Sequence, residues 1–268
     1  MGTLTPLDSV DTRPKRIIAF DTEDDSNGKV GIINFAYRAP WGIVHKTFRH
    51  PVLARQWIRR QKGNIIFVAH NLEYDLCNIY RDQNFADIDR LSYTARLIVA
   101  ELNGSKVRWV DSFNFFPQSL KKMGEVIGLE KMESDFQSVE YCRRDTEIVL
   151  VFMEMFQAKL LSDVGVGISA TIGGIAMKAF RTKFLDREVV TWNEAPALAA
   201  YYGGRCELFY KGNVDHVKVA DVNSMYPSVM KKLYPDCSTI QAGSSYSDFE
   251  YGLAHVRIHI PESNHIGP

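Results

Sequence analysis

Ile17-Ile18-Ala19-Phe20-Asp21-Thr22-Glu23 is a run of four apolar residues that ends on two carboxylates. The apolar run predicts a buried strand, and side chains two apart on a strand share a face, so Asp21 and Glu23 reach one place. Two later stretches carry matching acids: Asn71-Leu72-Glu73-Tyr74-Asp75 and Tyr141-Cys142-Arg143-Arg144-Asp145 each run into apolar positions at helical spacing. Residues four apart on a helix are neighbours, which sets Asn71 beside Asp75 and Tyr141 beside Asp145. Three segments thereby aim four carboxylates at a common point.

Four acids with no Lys or Arg among them repel one another, and hard oxygen ligands suit Mg²⁺ or Mn²⁺ better than zinc. A pair of such ions roughly 4 Å apart removes the repulsion, activates a water and stabilises the leaving oxygen of a phosphodiester. The pattern predicts a two-metal nuclease site in which Tyr141 orients the water or helps to deprotonate it.

The chain has 268 residues, 46% of them hydrophobic, enough for one large domain or one and a half. Met1 to Arg16 lacks a basic flank followed by an apolar run, no segment has bilayer-spanning length, and Pro6 breaks the myristoylation pattern that Gly2 would open. Cys77, Cys142, Cys206 and Cys237 are isolated, with no C-x-x-C pair, and read as reduced thiols of a cytoplasmic-type compartment. Lys plus Arg equals Asp plus Glu at 32 each, so any nucleic-acid contact must be local. Arg55 to Lys62, Lys121-Lys122, Arg143-Arg144 and Lys231-Lys232 are candidates, although short basic runs are more often solvated helix faces.

Strands are expected at Lys15 to Thr22, Val30 to Tyr37 and Ile43 to His50, an antiparallel meander turned at Asn27-Gly28 and around Pro40 and Gly42. Pro51 to Lys62 reads as a helix, Asn64 to Ala69 as a short buried strand and Asn71 to Arg81 as a helix. Arg96 to Leu102 and Lys106 to Phe113 form a hairpin about Asn103-Gly104, followed by helices at Ser119 to Ile127 and Ser138 to Leu161. This order predicts an α/β layer fold with its carboxylates at one edge of the sheet. The pattern loosens near Asp163 to Gly167, where a domain boundary is placed. Beyond it residues 168 to 202 look helical, and Cys206 to Tyr210, His216 to Asp221 and Gly252 to Ile260 read as strands of a second module. The ending, His265-Ile266-Gly267-Pro268, follows a strand without a closing helix, as in a truncated chain.

With these residues in place the chain resembles the N-terminal part of a family B DNA polymerase, most of all the protein-primed bacteriophage, plasmid and viral group. The carriers are the acidic-x-Glu pair Asp21 and Glu23, the Asn-x-x-aromatic-Asp run Asn71 to Asp75, Tyr141-x-x-x-Asp145, Tyr201-Tyr202-Gly203-Gly204 and Ala220-Asp221-Val222-Asn223-Ser224-Met225-Tyr226-Pro227-Ser228. The resemblance implies a ribonuclease-H-like 3′–5′ exonuclease domain over 1–165, and a linker with the first part of a polymerase palm over 166–268. It makes Asp21, Glu23, Asp75 and Asp145 ligands of two Mg²⁺ or Mn²⁺ ions, with Tyr141 catalytic beside them. Asn71 and Tyr74 become contacts to a frayed primer end, as do Ser112 and Phe113 of the more loosely matching Asp111-Ser112-Phe113. Tyr201, Gly203 and Gly204 become template-strand contacts; the pair of glycines lets backbone approach a phosphate. Asp221 becomes a polymerase metal ligand, and Ser224 and Tyr226 contacts to the incoming nucleotide.

Two departures qualify the match: Asp24 stands where the group commonly has Thr, and Met225 where it commonly has Leu. The second palm carboxylate motif and a Lys-rich fingers helix are not seen before Pro268, so exonuclease alone is expected of the isolated chain. Expected partners are DNA, as a single-stranded 3′ end or template-primer, and a terminal protein, with a monomeric chain in the cytoplasm of a bacterial or virus-infected cell.

Blander readings exist for each feature. Asp24 and Asp25 suit the turn that follows, His70 suits a structural role, Gly203-Gly204 suits a helix stop, and Trp41, Trp57, Trp109 and Trp192 suit core or interface positions. Two other functions stay open at this point: a free-standing exonuclease of the same acidic type, and a non-catalytic replication accessory protein that binds primer ends or a terminal protein.

Overall fold

Successive residues of a strand face opposite sides of its sheet, and in Ile17-Ile18-Ala19-Phe20 both sides are apolar, so this strand needs a core above and a core below. The computed structural model describes residues 2–8, 12–80, 82, 84–85, 88–93, 97–102, 108–133, 138–191, 198–201, 206, 208, 210–233, 243, 245 and 252–261. In chain order the strands are Gly2–Leu4 (β1), Arg16–Asp24 (β2), Val30–Ala39 (β3), Gly42–Phe48 (β4), Ile65–Ala69 (β5), Ile88–Tyr93 (β6), Leu97–Leu102 (β7), Arg108–Asp111 (β8) and Val189–Thr191 (β9). The α-helices are Pro51–Arg59 (α1), Leu72–Tyr80 (α2), Leu120–Ile127 (α3), Val139–Lys159 (α4), Ile172–Lys183 (α5) and Met225–Val229 (α6). Two compact units divide them, one of Pro6–Asp186 and one of Met1–Thr5 with Arg187–Pro268.

The first unit is mixed α/β. Its seven-stranded sheet has the order β4-β3-β2-β5-β8-β7-β6. β2, β5 and β8 run parallel to one another, and the remaining pairs are antiparallel. On one face Ile17 and Ala19 of β2 and Ile66 and Val68 of β5 pack with Met123 of α3, Ile148, Phe152 and Met153 of α4, and Ile175 of α5. On the other, Ile18, Phe20, Ile65 and Phe67 pack with Trp109, with Ala54 and Ile58 of α1, and with Leu72, Leu76 and Ile79 of α2. Phe67 and Trp109 stack with ring centroids 4.6 Å apart, and Phe20 meets Trp109 edge-on at 4.8 Å. Each such fully buried side chain contributes about 2–3 kcal/mol of transfer free energy.

Local signals place the helices. Ser119 caps α3 and Ser138 caps α4, each hydroxyl accepting from a backbone N–H three residues on. Gly128 closes α3 in the left-handed conformation at φ +72°. At Gly124 a Cβ would run into the Leu129 carbonyl oxygen, so only glycine lets the chain fold back there.

Several expectations shift. β2 runs on to Asp24, because β3 continues to pair with it through a bulge between Glu23 and Asp24. β6, antiparallel to β7, was not anticipated. Of residues 168 to 202, α5 covers Ile172–Lys183; its Ile175 and Ala179 join the core, so the first compact unit continues past residue 165 to Asp186. Trp109 is core and Trp57 packs against it, whereas Trp41 stands 83% exposed in the β3–β4 turn.

In the second unit β1 and β9 pair antiparallel. The strands expected at Cys206 to Tyr210, His216 to Asp221 and Gly252 to Ile260 are not formed among the described residues. A strand needs a partner for its N–H and C=O groups, and here Val217, Val219, Val256 and Ile258 remain exposed. Asn103-Gly104, Trp192, Gly203, Gly204, Cys237 and the ending at 265–268 lie outside the described residues. Among the described residues no helix is long and apolar enough to cross a membrane.

Candidate metal centre

β2 pairs with β5 only from Arg16 to Ala19, so beyond Ala19 its β5 side is open while β3 still holds the other. Asp21 and Glu23 lie on that projecting end. Both share the face of Ile17 and Ala19, the face covered by α4. The Ser138 hydroxyl accepts from the Tyr141 N–H at 3.0 Å and so starts α4, whose inward side carries Tyr141, Cys142 and Asp145. One ligand oxygen from each of Asp21, Glu23 and Asp145 falls within 4.8 Å of the others. Among the described residues, Asp21 Oδ2 and Asp145 Oδ1 are buried with no hydrogen-bond partner.

Asp75 reaches this place from the opposite face. It shares the parity of Thr22, and its Oδ1 accepts from the Thr22 N–H at 2.9 Å and from the Thr22 hydroxyl at 2.6 Å. It is therefore close enough to repel Asp21 but lies outside the group of three.

The start of α2 is set by Asp111. Its buried carboxylate accepts from the N–H groups of Asn71 at 3.1 Å, Leu72 at 3.2 Å and Phe113 at 2.9 Å. Asn71 sits in the left-handed region at φ +81°, just ahead of the helix, with its side chain exposed. Ser112 is fully buried and its hydroxyl meets His70 Nδ1 at 2.9 Å, and Phe113 packs its ring 5.4 Å from the His70 ring. Tyr74 is 46% exposed on the first turn of α2, and its hydroxyl donates to Asp24 Oδ2 at 2.7 Å. Asp24 thus faces α2 and stands apart from the acidic group, while Asp25 accepts from the N–H groups of Asn27 and Lys29 in the turn.

Lys131 corrects the expectation of carboxylates without a cation. Its ammonium pairs with Asp145 Oδ2 and lies 4.3 Å from the centre of the Tyr141 ring. The residue comes from the non-helical stretch 129–133 that follows α3, which has no periodicity that would aim a side chain, so only a three-dimensional path reveals it.

Burial first, then repulsion from Asp75, Asp145 and Glu23, holds the Asp21 carboxyl well above the usual carboxylate range. Glu23 is pushed up to about 7, mainly by burial and then by Asp145, with Lys131 opposing. Burial raises Asp145 as well, against the opposing pull of Lys131. Burial also dominates at Asp75, where the bonds from Thr22 act the other way. For Lys131 burial favours the neutral amine, but the bonds to Asp145 and Tyr141 and their charges raise its pKa overall. Burial drives the Cys142 thiol strongly up, so it stays protonated beside Asp21, donating to the Asp21 carbonyl at 3.5 Å. An acidic, partly dehydrated group with orphaned oxygens is the donor set of a hard divalent cation.

In the second unit Tyr201, Asp221 and Tyr226 are exposed, and Ser224 precedes α6 at φ +53° without a side-chain cap. Among the described residues Asp221 belongs to no group of three potential ligands.

The fold and site thus define a mixed α/β protein with three carboxylates, two at the end of β2 and one on α4, gathered where they could hold a metal ion. The chain belongs to the family of type B DNA polymerases, organellar and viral, whose sequence model matches residues 129–266. It is 33% identical over 131 residues to the DNA-directed DNA polymerase of Enterobacteria phage PRD1, a match covering 45% of this chain and 22% of the phage enzyme. A probable DNA polymerase of Neurospora intermedia is 32% identical over 100 residues, 35% of this chain and 10% of the relative. The matched regions thus span less than a quarter of those relatives' lengths. Among solved structures, phi29 DNA polymerase complexed with single-stranded DNA aligns over 63% of this chain and 35% of its own, at 14% identity and a TM-score of 0.46.

Proposed function

We propose that the chain is part of a DNA-directed DNA polymerase, primed by a protein, and that its sheet-bearing unit is a ribonuclease-H-like 3′–5′ exonuclease that proofreads the primer end. The observation that carries this reading is the meeting of Asp21, Glu23 and Asp145 within 4.8 Å, with buried oxygens left for a ligand. In this reading the exonuclease domain is the compact unit Pro6–Asp186, which runs past the boundary expected at residue 165, and the linker and first part of a palm lie within Arg187–Pro268.

Asp21, Glu23 and Asp145, with Asp75 across the strand, would hold two Mg²⁺ or Mn²⁺ ions. When bound, such ions supply a water activated near neutral pH and offset charge on the leaving oxygen. The protein's own groups do the rest. Lys131 holds the Asp145 carboxylate and keeps part of its charge compensated. Tyr141, one turn before Asp145, orients the attacking water from its hydroxyl. Asn71, Tyr74 and Phe113 receive the unpaired terminal nucleotide, and a mismatched end reaches them more readily because it costs less to unstack. Tyr201, Gly203 and Gly204 serve the template strand. Asp221, Ser224 and Tyr226 contribute a metal ligand and nucleotide contacts to a polymerase site that needs further carboxylates.

A 5′-labelled single strand incubated with the purified chain tests the proposal, with Mg²⁺ or EDTA, and with an annealed template and nucleotides in parallel. A Mg²⁺-dependent ladder shortening from the 3′ end supports it; an unshortened strand overturns it.

A further inference from the structure

A second polar chain runs along the face of β2 away from the three clustered acids. Tyr74 donates to Asp24 Oδ2 at 2.7 Å, and Asn78 Nδ2 donates to Asp24 Oδ1 at 3.2 Å and to Thr22 Oγ1 at 2.9 Å. The Thr22 hydroxyl gives its only proton to Asp75 Oδ1 at 2.6 Å. Five side chains from one strand and one helix thereby join an exposed ring to a buried carboxylate.

Thr22 has one proton, so its oxygen must accept from Asn78, which requires the Asn78 amide nitrogen on that side. Asp24 is then an acceptor for both Tyr74 and Asn78. An acid on the rim of a site for polyanionic strands repels their phosphates, so its place there is accounted for by what it holds within the protein. Here both carboxylate oxygens are engaged, one by Tyr74 and one by Asn78.

We infer that Asp24 and Asn78 are positioning residues that fix the Tyr74 ring as a stacking platform for the terminal base of a single-stranded 3′ end and tie that platform to Asp75. The inference rests on the exonuclease reading above and specifies how its substrate end is received. An exposed aromatic ring held by its hydroxyl meets a base without first losing rotamer freedom, so the stacking free energy is expressed more fully as binding.

The test separates the hydroxyl bond from the ring. Tyr74→Phe keeps the ring and deletes the donor, and Asp24→Ala deletes the acceptor. A single strand ending in 3′ 2-aminopurine is the probe, read by fluorescence in EDTA for Kd and by hydrolysis in Mg²⁺ for kcat and KM. Each variant is expected to raise Kd and KM roughly three- to tenfold, the loss falling in KM more than in kcat. The double variant is expected to be no weaker than Asp24→Ala, since the bond that Tyr74→Phe deletes is already lost there. Wild-type binding by Tyr74→Phe, or tighter binding by Asp24→Ala with no change in Tyr74→Phe, overturns the inference while leaving the exonuclease reading in place. A wild-type chain that neither retains nor shortens the probe overturns both.

Discussion

Asn34 stands directly opposite Asp21 across the β2–β3 pair, and its side-chain amide donates to the Thr146 hydroxyl at 2.6 Å, one residue beyond Asp145. The same amide nitrogen meets His45 Nδ1 at 3.1 Å, and its oxygen accepts from Thr47 at 2.9 Å. Thr146 in turn bonds back to the carbonyls of Cys142 and Arg143. One fully buried amide on β3, the pairing partner of the strand bearing two acids, thus ties that sheet to the helix bearing the third.

Replacing Asn34 by Leu leaves Thr146, His45 and Thr47 without their partner, and a buried group so stranded costs about 1–3 kcal/mol. Urea unfolding should show that loss. Divalent-cation affinity should fall with it, because α4 is no longer keyed to β3 and, through it, to β2. Thr146→Val should weaken both quantities less.

The raised carboxyl pKa values set the sign of the pH dependence. Glu23 in the folded protein titrates at about 7 against an ordinary 4.5, so between these values the native state binds more protons than the unfolded one. The stability this contributes is fully present below about pH 4.5 and is lost as pH rises through 7. Asp21, Asp75 and Asp145 are shifted in the same direction. In EDTA, Tm should fall over this range, Glu23→Gln should flatten the fall, and Mg²⁺ should raise Tm more at pH 7.5 than at pH 5.

Lys131→Met removes the cation that opposes the raised pKa values of Glu23 and Asp145. The Glu23 titration, followed by NMR in EDTA, should move above 7. Hydrolysis should fall by roughly 10–100-fold, since Asp145 loses the partner that holds it.

Arg55 locks α1 to the end of α2. Its guanidinium is 2% exposed, bonds to the Ile79 carbonyl and takes Asp82 in two bonds of 2.6 and 2.9 Å. Asp82 is half-exposed, which reduces the ionic share, so Arg55→Ala should cost about 2–3 kcal/mol, part of it lost packing of the stem. Thermal unfolding measures it, and catalysis by the folded protein should be little changed.

The legible parts of this chain were those carried by local pattern. The alternation of Ile17 to Phe20, the Asn-Gly turn signal after β2 and the serines ahead of α3 and α4 each act within a few residues, and the corresponding elements are present. The meeting of Asp21 and Glu23 with Asp145 was also legible, because strand parity and helical spacing leave little choice of face. Asn34 and Lys131 were not. The first matters through its register opposite Asp21, the second through the path of an irregular segment, and neither leaves a periodic trace. Asp75 shows the limit of counting acids: it arrives from the other face of the sheet and gives one oxygen to Thr22. The strands expected after residue 205 are not formed among the described residues for a different reason, since alternation alone supplies no neighbour for the ladder.

In the proposed function the clustered acids form a metal-dependent site for cleaving DNA from its 3′ end. It is tested most directly by the single-turnover rate at which wild type and Asp21→Asn shorten a 5′-labelled single strand in Mg²⁺, with far-ultraviolet circular dichroism as the fold control. Asp21→Asn should show a native spectrum, a Tm in EDTA no lower than wild type because a repelling group is gone, and a rate reduced by about 10³-fold or more. An unaltered rate in a folded Asp21→Asn protein would contradict it.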